Sequence, residues 1–206
     1  MAKDILLPRG YLSYTQIILW NSSKDRYIRE YFLNAPKLNT PALRYGKSIA
    51  RLIESGEHRK ILPNLKVYEK SEYEIDIEIR GVRVKMYLDS YNNDPENPKL
   101  REYKTGIVKW TQEKVLKHKQ LVMYALGIKH KTGKIPEVHL DWIVTEKNNI
   151  GDSFWEKVDG DRHTTGEIKE FKRIIHEREL IEMENEIERV AVEISESYKN
   201  YININL

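Results

Sequence analysis

Three groups of residues, in a fixed order, carry the chemistry this chain could do: Asp89, then Glu102-Tyr103-Lys104-Thr105-Gly106, then Gln120 and Tyr124. In an extended strand alternate side chains share a face, so Glu102 and Lys104 point one way and Tyr103 the other. Asp89 closes the alternating run Val82, Val84, Met86, Leu88. Neighbouring strands lie about 5 Å apart, so two carboxylates can converge. A hard divalent cation such as Mg2+ is held by one or two carboxylates, phosphate oxygens and waters. Such an ion acidifies a bound water and offsets phosphodiester charge, while an adjacent ammonium, Lys104, orients the attacking water or stabilises developing charge. The chemistry on offer is metal-assisted phosphodiester hydrolysis. The plain alternative is a solvated strand face carrying a weak Glu-Lys pair.

The order of the surrounding motifs shifts that balance. Gly46-Lys-Ser-Ile-Ala50-Arg-Leu-Ile-Glu54 precedes Tyr87-Leu-Asp89, and Glu-Tyr-Lys-Thr-Gly and Gln-x-x-x-Tyr follow. From Gly46 to about Leu126 the series resembles the PD-(D/E)XK nuclease superfamily, and within it the RecB-like and lambda-type exonuclease branch. The resemblance implies Asp89 and Glu102 as ligands of Mg2+ or Mn2+, joined by the Tyr103 carbonyl, with Lys104 as the catalytic cation. It implies DNA as partner and DNA hydrolysis, exonucleolytic more than endonucleolytic, in recombination, repair or phage DNA processing. A silent nucleic-acid-binding module of the same fold and an endonuclease are the alternatives. Gln120 and Tyr124 would contact substrate or steady the lysine, or else form a polar rim on a packed helix. Where the branch often has a histidine four residues after the motif glycine, this chain has Ala50, which removes a nitrogen ligand. Glu54, a turn later on the same helix face, could supply a carboxylate or be a surface residue.

Bulk properties narrow the classes. With 206 residues, 40% apolar and 33% charged, the chain suits one packed domain over 1–206. The absence of cysteine excludes a disulfide framework, a thiolate zinc site, an iron-sulfur cluster and a cysteine nucleophile, and so departs from relatives with a four-cysteine cluster. The six histidines (58, 118, 130, 139, 163 and 176) show no paired metal spacing and receive no chemistry. No apolar run approaches the roughly 20 residues that span a bilayer, and the start lacks a signal-peptide core. The expectation is a soluble cytoplasmic protein, in the host cytoplasm if phage-encoded, without membrane contact. A homo-oligomer or a recombination partner protein is left open.

Net charge is only +3, but residues 99–134 hold ten Lys or Arg against two acids, while ten Glu face six Lys or Arg from Thr164 onward. The basic segment makes Lys109, Lys114, Lys117 and Lys119 candidates for phosphate contacts, with a solvated face as the bland reading.

The predicted elements follow from pattern. Ser13-Tyr-Thr-Gln16 reads as a capping box opening a helix to about Asn34, although Ser13 and Thr15 also resemble the Ser-x-Ser entry motif of RecB-like nucleases. Thr40-Pro41 opens a second helix to about Gly56. Tyr73 to Ile79 and Val82 to Leu88 alternate around Arg80-Gly81 as a hairpin, with Asp89 at its far end. Residues 90–98 form a turn-rich loop before a Glu-Tyr-Lys strand polar enough to be short or near an edge. Thr111 to about Ile128 is a crossover helix, and Val138 to Val144 a further strand, with Phe154-Trp155 belonging to another. Thr164-Thr-Gly-Glu167 reads as a second capping box, opening a helical segment over about 165–201 that breaks near Glu177 to Glu179. The sum is a single α/β domain, a central mixed sheet of four to six strands flanked by helices, with the acidic site at one edge.

Overall fold

Two-residue turns set strand register, and the Arg80-Gly81 turn does so here: both residues have positive φ, 50° and 78°, as a tight hairpin requires. It joins β1 (Lys70–Ile79) to β2 (Val82–Tyr91) in antiparallel register from Ile79 opposite Val82 to Lys70 opposite Tyr91. The computed structural model describes residues 4–147 and 162–205. Its sheet runs β1-β2-β3-β4-β5, with β3 (Lys99–Gly106), β4 (Glu137–Lys147) and β5 (Arg162–Arg173). Among the described strands only the β3–β4 pair is parallel. A parallel pair needs a crossover, and the helices between Gln112 and Thr132 supply it.

The fold class is as expected from the sequence, a five-stranded mixed sheet flanked by helices. One main core gathers Val82, Val84, Met86 and Leu88 of β2 with Leu100, Val138 and Leu140. The same core takes in apolar residues of α1 (Tyr14–Ser22), α5 (Lys119–Thr132) and α6 (Glu177–Asn205). A smaller cluster places α3 (Pro41–Glu54) over Tyr103, Ile143 and Ile168 through Tyr45, Ile49 and Ile53. Helix α3 starts as expected, with the Thr40 hydroxyl accepting from Leu43 N and Pro41 in the first turn. On α5, Gly127 is what lets the helix lie on β2: a Cβ there would stand 2.7 Å from the buried Met86 sulfur.

Several expectations are corrected. The first helix does not run unbroken to Asn34. It ends at Ser22, restarts as α2 (Lys24–Tyr27) on the Ser23 hydroxyl, which accepts from Arg26 N, and continues as a π turn over Ile28–Phe32. Ser13 does occupy the first N-cap, but its hydroxyl makes no cap bond and instead accepts from Gln16 Nε2 at 3.3 Å. The crossover helix is two helices, α4 (Gln112–Leu116) and α5, because the buried Arg173 binds the carbonyls of Val115 (3.1 Å) and His118 (2.6 Å) at the break.

The polar strand β3 is neither short nor near an edge. It is the central strand, and its charges are compensated: Arg101 Nη1 meets both Asp141 oxygens at 2.9 Å and Glu170 at 2.6 Å.

Thr164-Thr-Gly-Glu167 opens no helix; it lies in β5. The hydroxyls of Thr164 and Thr165 accept from Gly166 N and Glu167 N, a local turn around Gly166 (φ 81°) where the β4–β5 register shifts. The same side-chain habit serves caps and such turns, and pairing with β4 decides between them. The helix begins at Glu177, near the expected break, with Glu179 reaching back to His176 N at 3.0 Å. Phe154 and Trp155 lie outside the described residues.

Candidate active site

The β2–β3 ladder holds for only two residue pairs, Tyr91 with Leu100 and Ser90 with Arg101, and then the strands part. The freed edge of β2 is taken by the N-terminal segment, with Leu12 N donating to Arg83 O and Lys85 N to Leu12 O. The freed edge of β3 is met by Asp89, whose Oδ2 accepts from Tyr103 N at 2.7 Å. The acidic site therefore sits inside the sheet, between its second and third strands, and not at an edge.

By residue count Asp89 falls opposite Glu102, one step past the last β2–β3 pair, and opposite Glu72, at the single position that the β1–β2 ladder skips between Ser71–Ser90 and Tyr73–Leu88. Glu72, Asp89 and Glu102 form a row across three strands. All three line a cleft of about 420 Å³ beneath α3, together with Lys104, Thr105, Lys47 and Ala50. Directly opposed like charges are destabilising, so this row costs energy in the absence of a cation. Burial first, and then the Glu102 charge, push the Asp89 pKa well above the usual carboxylate range. Burial likewise raises that of Glu72, with Glu54 and Glu102 adding to it.

Glu102 is only 2% exposed. Its Oε1 holds Lys104 Nζ at 2.5 Å, while its Oε2 is buried with no hydrogen-bond partner among the described residues. A buried carboxylate oxygen left unpaired is expensive, and beside a second carboxylate it is the donor chemistry that a hard, oxygen-seeking cation satisfies. The residues present thus fit Mg2+ or Mn2+. No three carboxylate or imidazole groups among the described residues close on a single point, so the row is a line along the cleft and not a finished chelate.

Lys104 is gripped from two sides, by Glu102 and by Gln120 Oε1 at 2.8 Å, and Gln120 Nε2 donates to Tyr124 Oη at 2.7 Å. The i,i+4 spacing on α5 makes that last contact. Burial works against the Lys104 charge, but Glu102 and Asp89 outweigh it and its pKa is raised, so the group is an ammonium at neutral pH and no general base. At the α5 N-terminus His118 packs edge-on against Trp110 and Tyr14, at centroid distances of 5.1 and 6.1 Å. Burial, followed by the Lys104 charge, pushes its pKa down to about 4, so it is neutral.

The structure brings Asp89, Glu102, Tyr103 and Lys104 together on the cleft and places Gln120 and Tyr124 directly behind the lysine. Glu54 is exposed near Glu72 and does not line the cleft. The four candidate lysines are exposed and do not line it either. Lys114 Nζ meets Lys109 O at 2.7 Å, Lys117 meets Glu113 at 2.6 Å and Lys119 meets Glu186 at 2.6 Å. The charge asymmetry along the chain is partly folded back on itself, since Lys129 also pairs with Glu177 across α5 and α6.

Two charged cleft residues receive no role in the sequence reading, Lys47 and Glu72. Lys47 follows the motif glycine directly. Glu72 could have been found by counting: with Arg80-Gly81 as the turn, the residue facing Asp89 is seven positions before Ile79.

No family model matches the chain, and no curated protein does. Solved structures do. A crystal structure from Eubacterium rectale, whose exonuclease assignment is provisional, aligns with a TM-score of 0.57 at 12% identity, over 90% of this chain and 83% of that one. LHK-Exo in complex with dAMP aligns with a TM-score of 0.51 at 14% identity, over 96% of this chain and 94% of that one. At such identities the likeness is one of fold.

Proposed function

We propose that the chain is a DNA nuclease dependent on Mg2+ or Mn2+, and an exonuclease. The observation that carries this reading is Glu102: a buried carboxylate with one oxygen on the Lys104 ammonium and the other unpaired, in line with Asp89. Asp89, Glu102 and the Tyr103 carbonyl would hold the cation, which when bound supplies an acidified water and offsets phosphate charge. Asp89 also accepts from Tyr103 N, which ties β3 to β2 just past the end of their ladder. Lys104, charged and fixed by Glu102 and Gln120, would donate hydrogen bonds to a non-bridging oxygen of the scissile phosphate and stabilise the negative charge that develops there.

A second recess supports action at an end. Gln120 and Tyr124 also line a pocket of about 210 Å³ whose walls include Arg9, Lys37, Lys85, Ser13 and Thr15. Arg9, Lys37 and several hydroxyls suit a terminal phosphate, Lys85 being held by Glu74 and Asp76, and the small size of the pocket suits an end better than a continuous strand. LHK-Exo, of similar fold, was solved in complex with dAMP, a nucleotide of the class proposed here. Lys47 and Lys104 at the cleft, with Lys109 and Lys114 beside it in sequence, are the candidates for the phosphate path. A role in recombination, repair or phage DNA processing belongs to the same proposal.

One observation favours a silent binding module instead, the alanine at position 50 on the cleft wall. A time course on end-labelled linear and closed-circular DNA with Mg2+, Mn2+ or EDTA tests both. Loss of linear DNA from its ends, with circles intact and no cleavage in EDTA, is expected. Binding without cleavage in either metal selects the silent module, and nicked circles select an endonuclease.

A further inference from the structure

The three-strand row poses a question that Asp89 and Glu102 alone leave unanswered. Glu72 falls opposite Asp89 by residue count, between the pairs Ser71–Ser90 and Tyr73–Leu88, and lines the same cleft as Asp89 and Glu102, whose Oε2 is unpaired. It has no hydrogen bond or ion pair to any described residue that would occupy its carboxylate, in contrast to Glu74 and Asp76 on the same strand face, which are held by Lys85, Tyr87 and Arg83. On the α3 wall Ala50 offers no donor. The cation would thus have protein oxygens on the β3 side and, on the β1 side, one exposed carboxylate at the cleft mouth.

We propose that Glu72 is an outer ligand of the metal centre: it accepts hydrogen bonds from the hydration water of a cation held by Asp89 and Glu102, on the side where position 50 gives nothing. Mg2+ and Mn2+ at two carboxylates keep several waters, and those waters need acceptors. Glu72 is two strands from Glu102, and no three acidic or imidazole groups among the described residues close on one point, so its carboxylate reaches a hydration water and not the ion itself. Groups of this kind orient the inner shell, and their loss commonly weakens metal affinity 10- to 100-fold. This assignment rests on the metal-site reading above and adds a residue to it.

The test is Mn2+ binding to the intact chain by titration calorimetry, without nucleic acid. Glu72→Gln is expected to weaken binding about tenfold, Glu72→Asp to keep most of the affinity, and Glu54→Gln to change nothing. Glu72 has φ 48°, a conformation that asparagine tolerates better than glutamate. Glu72→Asn is therefore expected to be at least as stable as the wild type while losing the same affinity, an outcome a merely structural glutamate would not give. If Glu72→Gln and Glu72→Asn bind Mn2+ like the wild type while Glu102→Gln does not bind, Glu72 is no ligand but the site stands. If the wild type itself binds no Mn2+, the metal-site reading falls and Glu72 with it.

Discussion

Replacing Asp89 by asparagine separates the fold's interest from the site's. In the ion-free chain Asp89 lies between Glu72 and Glu102, and burial, ahead of the Glu102 charge, raises its pKa well above the usual range. Asparagine keeps an oxygen to accept from Tyr103 N, a 2.7 Å bond in the wild type, and removes the charge. An incompletely compensated buried polar group costs about 1–3 kcal/mol, more if charged, and the wild type recovers part of this by taking up a proton. The variant is expected to gain roughly 1–2 kcal/mol in EDTA at pH 8, a rise in Tm of about 2–8 °C for a chain of this size.

The gain has a defined pH dependence. Below the unfolded-state pKa, about 4, both folded and unfolded wild type carry the proton and the two proteins melt nearly alike. As pH rises from there through the raised folded pKa, the unfolded chain gives up its proton first, wild-type stability falls, and the gap opens before levelling off. Excess Mn2+ reverses the order: at 100 times its Kd it stabilises the wild type by about 2.7 kcal/mol and the variant little. Circular-dichroism melts from pH 4 to 8.5, in EDTA and in Mn2+, measure all of this. A variant that melts below the wild type in EDTA at pH 8, or a gap flat across pH, refutes the reasoning.

Other outcomes follow from the same geometry. Lys104→Ala is expected to lower single-turnover cleavage about 10²-fold or more while keeping Mn2+ affinity; an unchanged rate with weaker DNA binding would make it a positioning residue only. Ala50→His is expected to tighten Mn2+ more than Mg2+, because imidazole suits transition metals, and equal affinity in calorimetry would show that this side of α3 does not face the ion. Arg101→Met leaves Asp141 buried without its partner and is expected to cost about 3–5 kcal/mol in urea unfolding, most of it recovered when Asp141→Leu is added. No recovery in the double variant would mean that the pair contributes through its geometry and not through its charge.

Much of the site was legible because it depends on short-range rules. Alternation alone puts Glu102 and Lys104 on one face, i,i+4 spacing alone puts Gln120 against Tyr124, and a two-residue turn fixes which residue of β1 faces Asp89. The hydroxyl-proline start of α3 and the β1–β2 hairpin are of the same kind, since the groups that make them lie within a few residues of one another. Where two local readings compete, as at Thr164-Thr-Gly-Glu167, the residues could not decide: hydroxyl-to-amide bonds of identical form serve a helix cap and a strand irregularity, and pairing with β4 chose the second.

What only the tertiary structure decided are the long-range matters. The polarity of β3 suggested an edge, and its central place became understandable once Asp141, forty residues on, was seen to neutralise Arg101. The break between α4 and α5 depends on Arg173 arriving from β5. Part of the basic run that looked like a DNA path faces the glutamates of α6, because sequence charge counts carry no directions. The parting of β2 from β3, which opens the cleft, depends on the N-terminal segment taking the edge of β2. Local pattern sets which side chains share a face; which elements become neighbours is set by burial and charge compensation between residues far apart in the chain, and a linear sequence does not display those pairings.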